Sequence, residues 1–99
     1  MLYAIIAEDV ADSLKLRERV RPSHLERAKQ LLDQGRLVFA GPHPAVDDDL
    51  PGEAGFTGSL IIAEFSCLED AEDWANSDPY TEAGVYATIH VKPVKQVLP

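Results

Sequence analysis

The sequence of 99 residues contains a single cysteine, Cys67, so no disulfide can form within the chain. Basic residues are also few, with nine Lys and Arg against seventeen Asp and Glu, and the formal net charge is -8. Binding to nucleic acid needs a concentration of basic residues that neutralises phosphates, and anionic membrane surfaces attract basic segments in the same way. The composition therefore predicts neither a nucleic-acid partner nor a membrane partner.

Long apolar runs are missing as well, since none approaches the roughly 20 residues that cross a bilayer. The apolar stretch after Met1 has no positive segment and no small-residue cleavage pattern, so it predicts a first strand rather than a signal peptide. With the lone cysteine, which suits a reducing compartment, these features predict a cytoplasmic protein. The chain length predicts a single domain over residues 1–99.

Recognisable metal and phosphate motifs are absent from the sequence. The histidines and Cys67 do not fall at zinc-ligand spacing, and we interpret Cys67 as a small buried side chain. The acidic run 47–49 lacks the alternating acids and closing glutamate of an EF-hand, and predicts a solvated loop. The glycine-rich segment 55–58 is not followed by the Gly-Lys-Ser/Thr of a phosphate loop. We therefore predict no metal and no cofactor.

Apolar periodicity divides the chain into four strands and two main helices. The predicted strands cover 2–8, 36–41, 58–66 and 84–94, and the predicted helices cover 22–34 and 68–77. Proline is favoured at the first position of a helix, so the main helix is expected to begin at Pro22, after a separate short helix at 12–20. The prolines at 42 and 44 are expected to end the second strand, before a long loop at 45–57.

The order β-α-β-β-α-β is typical of the ferredoxin-like fold, an α+β class in which two helices cover one face of a four-stranded antiparallel sheet. The first and third predicted strands are apolar on both faces. One helix layer covers only one of those faces. We therefore predict a homodimer in which a second copy covers the open face and closes a barrel-like interior.

Several motifs in sequence order resemble the YciI-like family. They are Arg21-Pro22-x-His24-Leu25, Gly35-x-Leu37, Ala40-Gly41-Pro42, Gly55-Phe56-Thr57-Gly58-Ser59 and Trp74-Ala75-x-x-Asp78-Pro79-Tyr80-x-x-Ala83-Gly84-Val85-Tyr86. The resemblance implies a ferredoxin-like subunit, a dimeric α/β barrel related in fold to muconolactone isomerases, and an active site built on His24 and Asp78. It also implies, for a few relatives, elimination of chloride from chlorinated aromatic breakdown products.

His24 and Asp78 are the candidate catalytic pair. On the predicted boundaries, His24 lies in the first turn of the main helix, where the helix dipole favours a neutral imidazole that can accept a proton. Asp78 is expected to bind one ring nitrogen and fix the tautomer. The structural alternatives are a half-buried histidine satisfied by the backbone and an aspartate that caps a turn before proline.

Three further residues are candidates for substrate binding. Tyr80 and Tyr86 offer hydroxyl donors, although each is equally typical of a packing aromatic with a polar tip. Arg21 is suited to bidentate binding of a carboxylate, with a surface ion pair as the alternative. Arg17 and Arg19 lie close to it in sequence, and a few such cations are sufficient to make a pocket positive in an acidic protein.

These residues favour a cofactor-independent enzyme in which His24, oriented by Asp78, removes a proton next to a carbonyl or lactone of a small molecule. Isomerisation or elimination would follow. The alternative is a dimer that binds a small molecule as a sensor, without turnover, since fold does not determine function. An RNA-binding sheet is excluded by charge and by the missing aromatic pattern on the central strands.

Overall fold

Helices pack on one face of a four-stranded antiparallel sheet in the computed structural model, which describes residues 1–99. The elements are β1 (Leu2–Asp9), α1 (Leu14–Asp33), β2 (Leu37–Pro44), β3 (Phe56–Glu64), α2 (Leu68–Asn76), α3 (Pro79–Glu82) and β4 (Tyr86–Val94). The strand order is β2-β3-β1-β4. The ferredoxin-like α+β prediction is therefore confirmed, with α3 as an additional short helix. None of the helices combines the length and apolar character needed to cross a membrane.

Alternation along β1 separates the two faces of the sheet. Tyr3, Ile5 and Ala7 are buried beneath the helices, whereas the residues between them lie on the opposite face and stay partly exposed. Across the antiparallel ladder, Ile5 pairs with Ile61 of β3 and contributes with it to the main hydrophobic cluster. The core therefore lies between the sheet and the helix layer, as period-two patterning requires.

The expected helix break at Pro22 is wrong, because α1 runs without interruption through that residue. Proline removes the hydrogen bond to the Glu18 carbonyl, a cost that tertiary packing outweighs here. The stripe that α1 buries comprises Arg17, His24, Ala28 and Leu31. It extends on both sides of the proline, so both halves of the helix are held against the sheet. As a consequence His24 lies in the middle of α1, and the expected influence of a helix N-terminus on it is wrong.

Other features of the structure also differ from the predicted ones. The second strand does not end at the prolines, since β2 continues to Pro44. It lies at the edge of the sheet, where a missing N–H costs no ladder hydrogen bond on the free side. The 45–57 loop is shortened because β3 begins at Phe56, and it contains a 3-10 turn. Cys67, expected to be buried, is exposed immediately before α2.

Candidate active site

A cavity of about 330 Å³ lies between α1, the β2–β3 edge of the sheet and α3. Its volume is at the lower end of the range for ligand pockets, which suits a compound of about one ring. The lining residues of α1 are Leu14, Arg17, Glu18, Arg21, His24, Leu25 and Ala28. They recur every three or four residues, so one face of the helix forms a wall of the cavity.

His24 and Asp78 are in direct contact, although 54 residues separate them in sequence. The imidazole Nδ1 lies 2.8 Å from Oδ1 and 3.0 Å from Oδ2 of the carboxylate. The acceptor-only carboxylate requires Nδ1 to carry the proton that it donates. In neutral His24, Nε2 is therefore the unprotonated nitrogen and the one able to accept a proton.

Nε2 of His24 has no hydrogen-bond partner within the protein, and the ring is one of the cavity walls. No buried side-chain nitrogen or oxygen in the structure lacks a partner, so an unpaired Nε2 must be accessible. The imidazole also stacks on Tyr80, with ring centroids 4.0 Å apart and planes 7° from parallel. These contacts fix the plane of the ring and leave its basic nitrogen free.

Asp78 is held by several groups besides His24. It is the N-cap residue of α3, and its Oδ1 accepts a hydrogen bond of 2.8 Å from the backbone N–H of Tyr80. Arg27 Nη1 lies 3.6 Å from Oδ2 and also donates to the Trp74 carbonyl. Only 2% of the Asp78 residue is exposed. The carboxylate therefore both caps a helix and orients His24, so the two interpretations of Asp78 are compatible.

Arg17 is the principal residue of the site outside the predicted set, because the sequence indicates it only as one of three neighbouring cations. It is 5% exposed, and its Nε and Nη2 bind both oxygens of Asp9 at 2.6 and 2.9 Å. Nη2 also donates to the Gly58 carbonyl and the Ser59 hydroxyl. Burial alone would lower the pKa of Arg17, but the hydrogen bond and charge of Asp9 outweigh burial and raise it. The signal that identifies Arg17 in the sequence is its position: it is a polar residue at the helical spacing of the face that α1 buries.

Arg21 and Tyr80 also line the cavity. Arg21 is exposed and lies one turn from both Arg17 and His24 on α1, so it belongs to the entrance rather than to the interior. Tyr80 is buried, with the Arg17 guanidinium carbon 5.0 Å from its ring centroid. The ring is therefore in contact with His24 and Arg17 at once.

Tyr86 does not reach the main cavity. With Asp78 it lines a separate cavity of about 10 Å³ behind the His24–Asp78 pair. Strict alternation along the predicted strand 84–94 puts Tyr86 on the same face as Thr88 and His90. A bulge shifts the register between Glu8 and Asp9, so that Tyr86 turns to the helix side and its ring meets Tyr80 edge-on at 5.7 Å.

Burial raises the pKa of both tyrosines. For Tyr80, the charges of Arg17 and Arg21 oppose that effect in part. For Tyr86, the hydrogen bond with Ser59 opposes it, and the pKa remains well above the ordinary value of 10.0. Both phenols are therefore neutral hydrogen-bond donors over the range in which proteins usually function.

These pKa shifts predict an alkaline loss of stability. A raised pKa means that the folded state holds the phenolic proton more tightly than the unfolded chain does, so the free energy of unfolding falls as pH rises above about 10. Below about pH 10 both phenols stay protonated in the folded and the unfolded state, so the two tyrosines do not change the free energy of unfolding with pH. Urea unfolding across a pH series should show a shallower alkaline decline in Tyr86→Phe than in the parent protein. Equal declines would contradict the assignment.

The structure thus brings His24, Asp78, Arg21 and Tyr80 to one site and leaves Tyr86 behind it. A family model described as YCII-related domain matches residues 1–95. The chain is 60% identical over 97 residues to Protein YciI of Escherichia coli O6:H1, covering 98% of this chain and 99% of that protein. It is 33% identical over 86 residues to "Derivative of benzaldehyde biosynthesis cluster protein C" of Emericella nidulans, covering 84% of this chain and 88% of that protein.

A solved structure of similar fold is that of the 5-chloro-2-hydroxyhydroquinone dehydrochlorinase TftG from Burkholderia phenoliruptrix AC1100, in complex with 2,5-dihydroxybenzoquinone. The TM-score is 0.83 at 26% sequence identity, and the match covers 96% of this chain and 94% of that one. The likeness therefore extends over nearly the whole length of both proteins.

Proposed function

The chain belongs to the YCII-related family, and from that premise we propose that it is a cofactor-independent acid–base enzyme, an isomerase or lyase acting on a small carbonyl, lactone or hydroxylated ring compound. The observation that carries the proposal is the His24–Asp78 contact, with Nδ1 committed to the carboxylate and Nε2 accessible. A base needs both an available nitrogen and a fixed tautomer, and this arrangement supplies both.

In the proposed reaction, Nε2 of His24 accepts a proton from the substrate. The imidazolium that forms is stabilised by Asp78, which stays in contact with Nδ1. Tyr80, kept neutral by the burial that raises its pKa, donates its O–H to the oxygen on which negative charge develops. His24 then returns the proton to another atom in an isomerisation, or chloride leaves with net loss of HCl in an elimination.

The dehydrochlorinase of similar fold supports the elimination branch and supplies a first test compound. Anaerobic incubation of this protein with 5-chloro-2-hydroxyhydroquinone should release chloride, which an ion-selective electrode measures. Small lactones incubated in D₂O should show deuterium next to the carbonyl by proton NMR, because reversible proton removal exchanges that position. A compound that binds but gives neither chloride nor deuterium exchange would support the alternative, a binding or sensor protein.

We also propose a homodimer in which the open face of the sheet is covered by a second copy. That face presents Ile6 of β1 opposite Leu60 of β3, and Phe39 of β2 opposite Ile62. Phe39 is 49% exposed, and such an apolar face is costly to leave in water. Burial of both faces by each other removes that cost.

The dimer is tested by the mass in solution. At low concentration the protein should sediment with twice the 10.9 kDa mass of the chain. Ile62→Lys places a charge at the centre of the face and should give monomers, whereas Gln30→Lys, on the exposed side of α1, should leave the mass unchanged. A monomeric parent protein, or a dimeric Ile62→Lys variant, would refute this arrangement.

A further inference from the structure

The guanidinium of Arg17 is only partly used by the protein. Its Nε and Nη2 donate to Asp9, to the Gly58 carbonyl and to Ser59, at distances between 2.6 and 2.9 Å. Nη1, which carries two further N–H donors, makes no hydrogen bond of good geometry within the protein, although the Tyr80 hydroxyl interacts with the guanidinium. One side of this buried arginine is thus saturated, and the other, beside Tyr80, retains donors for a ligand.

The free side opens to the cavity. Only 6% of the Arg17 side chain is exposed, and no buried side-chain nitrogen in the structure is left without a partner. The unpaired Nη1 must therefore contribute to that exposed fraction, and Arg17 is one of the residues that line the cavity. Nη1 of this permanently charged group therefore offers hydrogen-bond donors to the cavity that His24 also lines.

The position of this guanidinium is fixed before any ligand arrives. Both carboxylate oxygens of Asp9, whose side chain is 1% exposed, accept hydrogen bonds from the guanidinium. Asp9 also accepts a hydrogen bond of 2.6 Å from the Ser13 hydroxyl. The guanidinium carbon also lies 5.3 Å from the Phe56 ring centroid. A donor pair held in this way binds without ordering a flexible side chain, which is the usual entropic cost of binding through arginine.

We infer that the cavity selects a small planar anion, whose negatively charged oxygen accepts hydrogen bonds from Nη1 of Arg17 while its reacting part lies toward Nε2 of His24. This inference rests on the proposed function for the reaction, but its binding step stands independently. Arg17 and His24 are two helical turns apart, or about 10 Å between Cα atoms, on one face of α1. A single substituted ring fits the cavity of about 330 Å³ that both side chains line.

The remaining charges of the lining do not oppose an anion in the interior. Glu18 is the acid among the lining residues, and Arg21 lies one turn from it on the same helix. Both are exposed, so water screens them and they largely offset each other. A neutral carbonyl would also accept from Nη1, but hydrogen bonds between two charged groups are roughly twice as strong. The cavity therefore distinguishes an anion from its neutral isostere.

Benzoate and benzamide, which have the same shape and differ in charge, test this inference. Titration followed by NMR should show benzoate binding about tenfold or more tightly than benzamide, with the side-chain N–H signals of Arg17 shifting on addition of benzoate. Arg17→Lys keeps a positive charge beside Asp9 but removes Nη1 and its two N–H donors. It should therefore abolish the preference for benzoate over benzamide. Arg19→Gln, an exposed change on the same helix, should preserve it.

The outcome separates binding from chemistry. His24→Asn should bind benzoate as the parent protein does, even though it is expected to lose turnover. Equal binding of the two probes, binding of neither, or an unchanged preference in a folded Arg17→Lys protein would overturn the inference about substrate charge. The signals of Arg17 in the parent protein provide the same answer if the lysine variant does not fold. Absence of chloride release or deuterium exchange would instead contradict the proposed function.

Discussion

Replacing His24 by asparagine is expected to lower kcat by about 10²–10⁴-fold, the usual contribution of a positioned general base. Asparagine retains an N–H donor near the position of Nδ1, so the carboxylate of Asp78 keeps a partner. It has no equivalent of Nε2, which is the nitrogen accessible from the cavity. The substitution therefore removes the proposed base while preserving the contact that orders α1 against α3.

The measurement is steady-state turnover of whichever compound releases chloride or exchanges deuterium. His43→Asn is the matched control, because His43 is exposed and does not line the cavity. KM should change little in the His24 variant, since the loss is confined to proton transfer. A His24→Asn protein that kept more than about a tenth of the parent kcat would remove His24 from the mechanism.

The fold was accessible from the sequence because its signals are periodic. Alternation along β1 and β3 and the three-to-four spacing in α1 each specify which face is buried. The prediction that the main helix begins at Pro22 is wrong for a different reason. Proline reports a local cost, whereas the burial of residues on both sides of it is a tertiary gain that no local rule measures.

The site was less accessible, and the reasons differ by residue. His24 and Asp78 were paired through a family resemblance, since nothing in local patterning links positions 54 residues apart. Alternation groups Tyr86 with Thr88 and His90, whereas a bulge of one residue separates them and turns Tyr86 to the helix side. Arg17 was passed over because a charged residue on an apolar stripe is usually counted as surface, whereas here Asp9 makes its burial favourable.

The Asp9–Arg17 pair leads to a second prediction of large effect. Arg17→Met is expected to lower the free energy of unfolding by about 3–5 kcal/mol, because it leaves a buried carboxylate without its charged partner. The side chains are 6% and 1% exposed, so solvent cannot replace the lost contacts. That change is a large part of the roughly 5–15 kcal/mol of a typical domain.

Urea unfolding at one fixed protein concentration measures this change, since a dimer would make the midpoint depend on concentration. With a slope of about 2 kcal/mol/M, the midpoint should fall by about 2 M. Arg19→Met, at an exposed position of the same helix, should stay within about 0.5 kcal/mol of the parent protein. Arg17 is charged near neutrality in the unfolded chain, and its raised pKa keeps it charged in the folded state, so its own titration adds no pH dependence there.

A double-mutant cycle with Asp9→Asn distinguishes the ion pair from the packing of the arginine stem. If the charge contact is the main stabilising term, Asp9→Asn should lower the free energy of unfolding much less in the Arg17→Met background than in the parent protein. In that background no buried guanidinium remains to lose its partner. Additive losses would instead assign the effect to the methylenes and the Phe56 and Tyr80 rings that surround the guanidinium. The coupled result would mean that Asp9 stabilises the fold by the same contact that holds Nη1 toward the cavity.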